Sequence, residues 1–256
     1  MVFTLTYEEN KKIDEGLRKL EDLSGKISDL TCKGLFFGKN GALKLEKDRI
    51  KITKNIGGYL GWSRLSAISS TYYAASGNAD SRAKVSNLFF KPFWYWIAWR
   101  CLRKAEKLSD KFAGLRPMKD MSLGELDTRA CVLHKSKRVE EARSYLIYGK
   151  VKVTKEQTGT KHDLCLFLVH EAEVLAEMKR KEDASKNYNQ ALELSENATV
   201  SFLTKVRIMK SYGKFLSGAG KVIEAKDILN KALGLAEKNS LNDQAVKIKA
   251  LLASIK

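Results

Sequence analysis

Proline is nearly missing from this sequence, with only Pro92 and Pro117 among 256 residues. Because proline breaks helix interiors, its scarcity leaves long helices unobstructed without requiring them. Cysteine is also sparse. Cys32, Cys101, Cys131 and Cys165 are widely spaced and form no CxxC pair, so the spacing of a disulfide framework or zinc ribbon is missing and reduced, mostly buried thiols are expected. No apolar run approaches the ~20 residues of a membrane-spanning helix. The opening MVFTLTYEENKK lacks the basic and apolar regions of a secretory signal. A cytoplasmic protein is therefore expected, with the sequon at Asn197-Ala198-Thr199 left unglycosylated.

Motifs of catalysis are equally scarce. The sequence has no Walker-A loop, nucleophile elbow or GxGxxG, and Gly218-Ala219-Gly220 reads as a turn between helices. His134, His162 and His170 are the only histidines. His162 and Cys165 stand three apart, but zinc takes about four ligands and no second pair follows at a suitable spacing. His170-Glu171 lacks the second histidine of a zincin. Glu140-Glu141 and Glu171-x-Glu173 read as solvated helix charges. The expectation is a protein that is not an enzyme and needs no cofactor or metal.

Acidic residues are outnumbered, 30 Asp and Glu against 47 Lys and Arg, for a formal net charge of +17. Such a surplus attracts polyanions: nucleic acid, an anionic membrane or an acidic protein. It also fits a lysine-rich, merely solvated surface. The excess is densest at 61–120, with eleven basic and four acidic residues.

Helical periodicity fills the space that strand signals leave. Ile13, Leu17, Leu20, Leu23 and Ile27 form one apolar stripe over 7–30. A glycine-containing loop around Phe36 and Phe37 precedes a short basic helix at 43–55. After Gly57-Gly58, a helix is predicted at 59–76 with Gly77-Asn78 as its C-cap. Pro92 suits the first turn of the next helix. A loop at Gly114–Met121 is the candidate boundary between an N-terminal region, 1–114, and a regular C-terminal region, 115–256. In the latter, helices are predicted near 122–136, 138–154, 162–179, 181–196, 199–218, 221–237 and 241–255. Their short connections favour antiparallel hairpins. The fold class is all-α.

The helices repeat. Ala184, Tyr188, Ala191 and Leu194 set out a small–large–small pattern that returns at Ala225, Leu229, Ala232 and Leu235. It is also found at Ala142, Leu146, Gly149 and at Ala98, Leu102, Ala105, Leu108. Positions i, i+4 and i+7 share one helical face, and small residues there let a neighbouring helix come close. Twelve residues before three of these motifs stand Ala130, Ala172 and Gly213. With Tyr212, Gly213, Leu216, Gly220, Ala225, Leu229 and Ala232 in this register, the chain resembles the tetratricopeptide (TPR) family, most clearly at 162–237. The period of 41–44 residues exceeds that family's 34, and its terminal proline is missing. TPR-like is the apt description. The resemblance implies five or six hairpins stacked as a right-handed superhelix, an α-solenoid, capped by the helix at 241–255. It also implies a non-catalytic scaffold in which first helices line a concave groove for a peptide or helix, and the basic surplus makes an acidic partner the expected one.

Carried over by register, the groove candidates are Arg207, Lys210 and Lys214, joined by His134 and Lys135, with Glu173 and Glu177 offsetting their charge. The family's carboxylate-clamp pattern is not reproduced, and solvated lysines remain the alternative reading.

The cluster Phe89, Phe90, Phe93, Trp94, Tyr95, Trp96 and Trp99 precedes Arg100, Arg103 and Lys104. Core packing is one reading. Contact with an anionic membrane and stacking on RNA are the others, through Trp94, Trp96, Trp99 and the three cations. Seven aromatics in eleven positions cannot all share one helical face. Leu102-Arg103-Lys104-Ala105-Glu106-Lys107-Leu108, followed by a TPR-like hairpin, is similar to the RNA-binding helical domain of the larger TPR-like subunit of the signal recognition particle. The arginine-dense segment of that domain has no counterpart here. Burial of Trp94, Trp96 and Trp99 together would remove the best support for both polyanion readings.

Overall fold

The computed structural model describes residues 63–86, 88–196 and 200–255, with scattered positions between 8 and 52. Every described position from Glu8 to Leu30 and from Lys44 to Ile52 is helical. The loop around Phe36 and Phe37, Gly57-Gly58 and the sequon at 197–199 lie outside the described residues. Two compact units divide the chain, residues 1–121 and 122–256.

In the first unit α1 (Ser63–Val85) packs along α2 (Lys91–Leu115). The break predicted at Gly77-Asn78 is absent, and α1 runs through it. A helical glycine costs about 1 kcal/mol. Here Ser76, Ala79 and Ala83, all buried, give a small-residue face that closes on α2, and Ser69 Oγ donates to the Ala105 carbonyl at 2.7 Å. Pro92 sits in the first turn of α2, as its missing N–H favours. A short 3₁₀ turn, Met118–Asp120, follows α2.

The second unit contains α3 (Leu123–Lys135), α4 (Val139–Lys155), α5 (Lys161–Glu177), α6 (Lys181–Ser195), α7 (Phe202–Gly218), α8 (Val222–Lys238) and α9 (Asn242–Ser254). All seven predicted helices are present to within a few residues, and no strand is found among the described residues. Helix starts follow from local chemistry. Ser122 with Glu125, and Thr160 with Asp163, form capping boxes, and the Ser201 side chain accepts from the Thr204 N–H.

The hairpin turns repeat as closely as the helices. Lys137, Lys179, Gly220 and Ser240 each adopt a left-handed φ, between 55° and 85°, at the close of α3, α5, α7 and α8. The next residue's N–H then donates five residues back: Arg138 to the Leu133 carbonyl, Arg180 to Leu175, Lys221 to Leu216 and Leu241 to Ala236. This is the Schellman closure that satisfies otherwise orphaned helix-end carbonyls. The first three turns fall 42 and 41 residues apart, matching the side-chain repeat.

Adjacent helices pair: α3 with α4, α5 with α6, and α7 with α8. α3 also touches α5, α5 touches α7, and α7 touches α9. The repeat residues are what the pairs bury. Ala142, Leu146, Gly149, Ala184, Tyr188, Ala191, Ala225, Leu229 and Ala232 are buried, as are Ala130, Ala172 and Gly213 on the first helices. Tyr188 stacks on Tyr212 with ring centroids 5.0 Å apart and tilts against Phe215 at 5.4 Å.

Candidate functional site

Two surfaces carry the residues singled out by the sequence, one in each unit. In the second unit, α3, α5, α6 and α7 border an open cleft of about 400 Å³. His134, Glu173, Glu177, Lys181, Ser211 and Lys214 line it with the apolar Ala176, Tyr188 and Phe215. Polar contacts tie the first helices together along this side. His134 Nε2 lies 3.0 Å from Glu177 Oε2, and Lys137 Nζ donates to Glu177 Oε1 at 2.9 Å. The Lys137 bond, and then His134, hold the Glu177 carboxyl below the usual glutamate range. Ser211 Oγ donates to Glu173 at 2.9 Å. Both acids are thus engaged from within.

Of the candidate groove residues, His134 and Lys214 line the cleft. Lys210 is half-buried and donates to Gln244 Oε1 at 2.7 Å, so it ties α7 to α9. Arg207 is exposed one turn from Lys210, and Lys135 is half-buried; neither lines the cleft. The i, i+3 and i+7 spacing put Arg207, Lys210 and Lys214 on one stripe but could not tell which would be bound internally. Sequence reasoning missed Lys181, the first residue of α6. Its only signal was a cation at a helix N-terminus, where the helix dipole disfavours positive charge. Neither Lys181 nor Lys214 has an ion-pair or hydrogen-bond partner among the described residues.

A second cavity, about 460 Å³, lies among α6, α7 and α8. Glu193, Glu196, Glu224 and Asp227 wall it with one cation, Lys231, a charge balance that repels an acidic partner.

Glu171 corrects the reading of Glu171-x-Glu173 as solvated charges. Glu171 is 3% exposed, meets Lys150 in an ion pair, has Arg143 Nε at 3.6 Å, and accepts from Asn187 Nδ2 at 2.9 Å. A buried carboxylate is tolerated only when so compensated. It joins α5 to α4 and α6 rather than facing a substrate. The His162–Cys165 pair also dissolves: His162 faces Thr204, and Cys165 is buried with its thiol toward the Ala191 carbonyl.

The aromatic run on α2 overturns the core reading for all but one ring. Trp94 is 1% exposed, packs with Ala79, Ala83 and Ala98, and has the Arg82 guanidinium 5.0 Å from its centroid. Phe89 is 94% exposed, Trp96 50% and Trp99 56%, with Phe90, Phe93 and Tyr95 also exposed. The helix buries Trp94, Ala98, Ala105, Ser109 and Phe112, so the rings at the other angles must face outward. Arg100 lies over Trp96 at 5.2 Å, Arg103 over Trp99 at 6.0 Å and Lys104 over Tyr72 at 5.2 Å. Leu88 and Phe89 project from the turn before the helix as an apolar tip. Among the described residues, no helix is long and apolar enough to cross a membrane.

Comparison with known proteins finds no matching family model and no matching curated relative.

Proposed function

We propose that this chain is a non-catalytic binding scaffold whose second unit holds an acidic peptide or helix in the cleft among α3, α5, α6 and α7. The carrying observation is the pair of unpartnered lysines, Lys181 and Lys214, beside Ala176, Tyr188 and Phe215 in one open cleft. Carboxylates of the partner would meet the ammonium groups, and an apolar side chain would lie against the rings. The repeated turns and small–large–small faces support a TPR-like stack of hairpins in a right-handed superhelix, with α9 covering its last apolar face.

Capture of protein from nuclease-treated native lysate tests this reading. Lys181→Glu with Lys214→Glu should lower recovery of a defined partner by about tenfold or more, since a bond to a charged group contributes about 1.5–3 kcal/mol. Unchanged recovery by the double variant would sink it.

The exposed rings of α2 favour a second, separate binding role, at an anionic membrane surface. Leu88 is aliphatic and offers a nucleobase neither a stacking face nor a hydrogen bond, whereas an acyl layer accepts both Leu88 and Phe89, and Arg100 and Arg103 would meet lipid headgroups. Sedimentation with anionic vesicles tests it.

A further inference from the structure

Asp127, Cys131 and His170 converge on one point. Asp127 and Cys131 are four apart on α3, hence on one face, and His170 reaches them from α5. His170 Nδ1 lies 2.6 Å from Asp127 Oδ1 and 3.5 Å from Cys131 Sγ. The three ligand atoms all fall within 4.8 Å of one another. One ring nitrogen has a single lone pair or a single N–H, so it cannot serve both neighbours well as an ordinary hydrogen-bond centre.

We propose that Asp127, Cys131 and His170 form a binding site for a zinc-class divalent ion that joins α3 to α5. With metal–ligand bonds of about 2.0 Å to N and O and 2.3 Å to S, a tetrahedral ion needs separations of about 3.3 Å for N···O and 3.5 Å for N···S. The nitrogen and sulfur already stand at the required distance, and the nitrogen–oxygen pair must open by about 0.7 Å. The mixed N, O and S donor set selects zinc or cobalt over magnesium and calcium, which take oxygen ligands. Asp127 and His170 are each about one-quarter exposed, so an ion can enter and solvent can hold the fourth position.

Binding is an exchange of protons for metal. The Cys131 S–H bond breaks and its proton leaves to solvent as the thiolate forms the metal–sulfur bond. Any proton on His170 Nδ1 leaves likewise, and Asp127 supplies a carboxylate oxygen. Burial raises the Cys131 thiol above its usual range. Burial alone would lower the His170 proton affinity, but Cys131 and Asp127 reverse that and hold it well above the histidine range. The site lies one helical turn from His134 and Glu173 of the cleft. An ion there would fix the spacing of the two helices that carry them.

The test is titration of the reduced, full-length chain with Co²⁺ and then Zn²⁺. The expected result is one Co²⁺ per chain, with a sulfur-to-cobalt charge-transfer band and tetrahedral visible bands that Zn²⁺ abolishes. Cys131→Ser should lose the charge-transfer band while Cys101→Ser keeps it. His170→Gln and Asp127→Asn should weaken binding by more than about 100-fold, beyond the loss of an outer-shell partner. Circular dichroism identifies any variant that fails to fold, and either of the last two then replaces Cys131→Ser. No band from the wild-type chain, or a band that persists in Cys131→Ser, overturns the site. The titration does not involve Lys181 or Lys214, so its failure is distinct from failure of the cleft reading.

Discussion

Alanine at Gly149 will destabilise the second unit, although alanine is the better helix former by about 1 kcal/mol. Gly149 lies on α4 where a Cβ would collide with the ring of Phe167 on α5. Phe167 is buried and has little room to turn away. Overpacking of this kind costs about 1–3 kcal/mol, and the steepness of the overlap puts Gly149→Ala at the upper end, net of the propensity gain. At Gly213 the clash is with Leu229, whose Cγ would stand 2.5 Å from the new carbon, within one hairpin instead of between two. Gly234 on α8 is the control, since nothing lies within 4 Å, and Gly234→Ala should stabilise by up to about 1 kcal/mol. Thermal melts of the three variants decide it. A Gly149→Ala chain that melts at or above the wild type would mean that α4 and α5 do not approach as described.

The second large effect concerns α2. Full-length chain should sediment with vesicles rich in anionic lipid and stay in solution with neutral ones. Trp96→Ala with Trp99→Ala should reduce vesicle binding by about tenfold or more, because each ring buries 150–250 Å² of mostly apolar surface when it enters the interface. Arg100→Ala with Arg103→Ala should weaken it by about 1 kcal/mol per charge, about 30-fold for the pair, an effect that added salt reduces. The two tryptophans are exposed, so neither change should shift the melting temperature by much. Binding to single-stranded RNA that falls steeply with salt, without vesicle binding, would replace the membrane reading with the nucleic-acid one.

Helices and their repeat were legible because they rest on local chemistry. The Ala184–Tyr188–Ala191 and Ala225–Leu229–Ala232 spacings state which face is buried, and that face alone decides the pairing of adjacent helices. Gly77 misled because a glycine signals a cap only when nothing packs against it, and the packing of Ala79 and Ala83 on α2 is a long-range fact. The exposure of Trp96 and Trp99 was half legible: seven rings cannot fit one face, but only the position of Ala98 and Ala105 against α1 says which ring goes in. The partnership of Asp127 and Cys131 with His170 was not legible, because it spans 39 and 43 residues. Its one available signal was the repeat period itself, which brings residues about 42 apart side by side on neighbouring first helices. The same period explains His134 with Glu177, and Ser211 with Glu173.

Hydrogen exchange along the full-length chain, with and without the captured partner, tests the central claim most directly. The cleft reading predicts that the partner slows exchange at 173–181 and 211–219, which border the cleft, and leaves the acidic cavity of α6 and α8 unchanged. Slowed exchange confined to other segments, with 173–181 and 211–219 as fast as in the free chain, would contradict it.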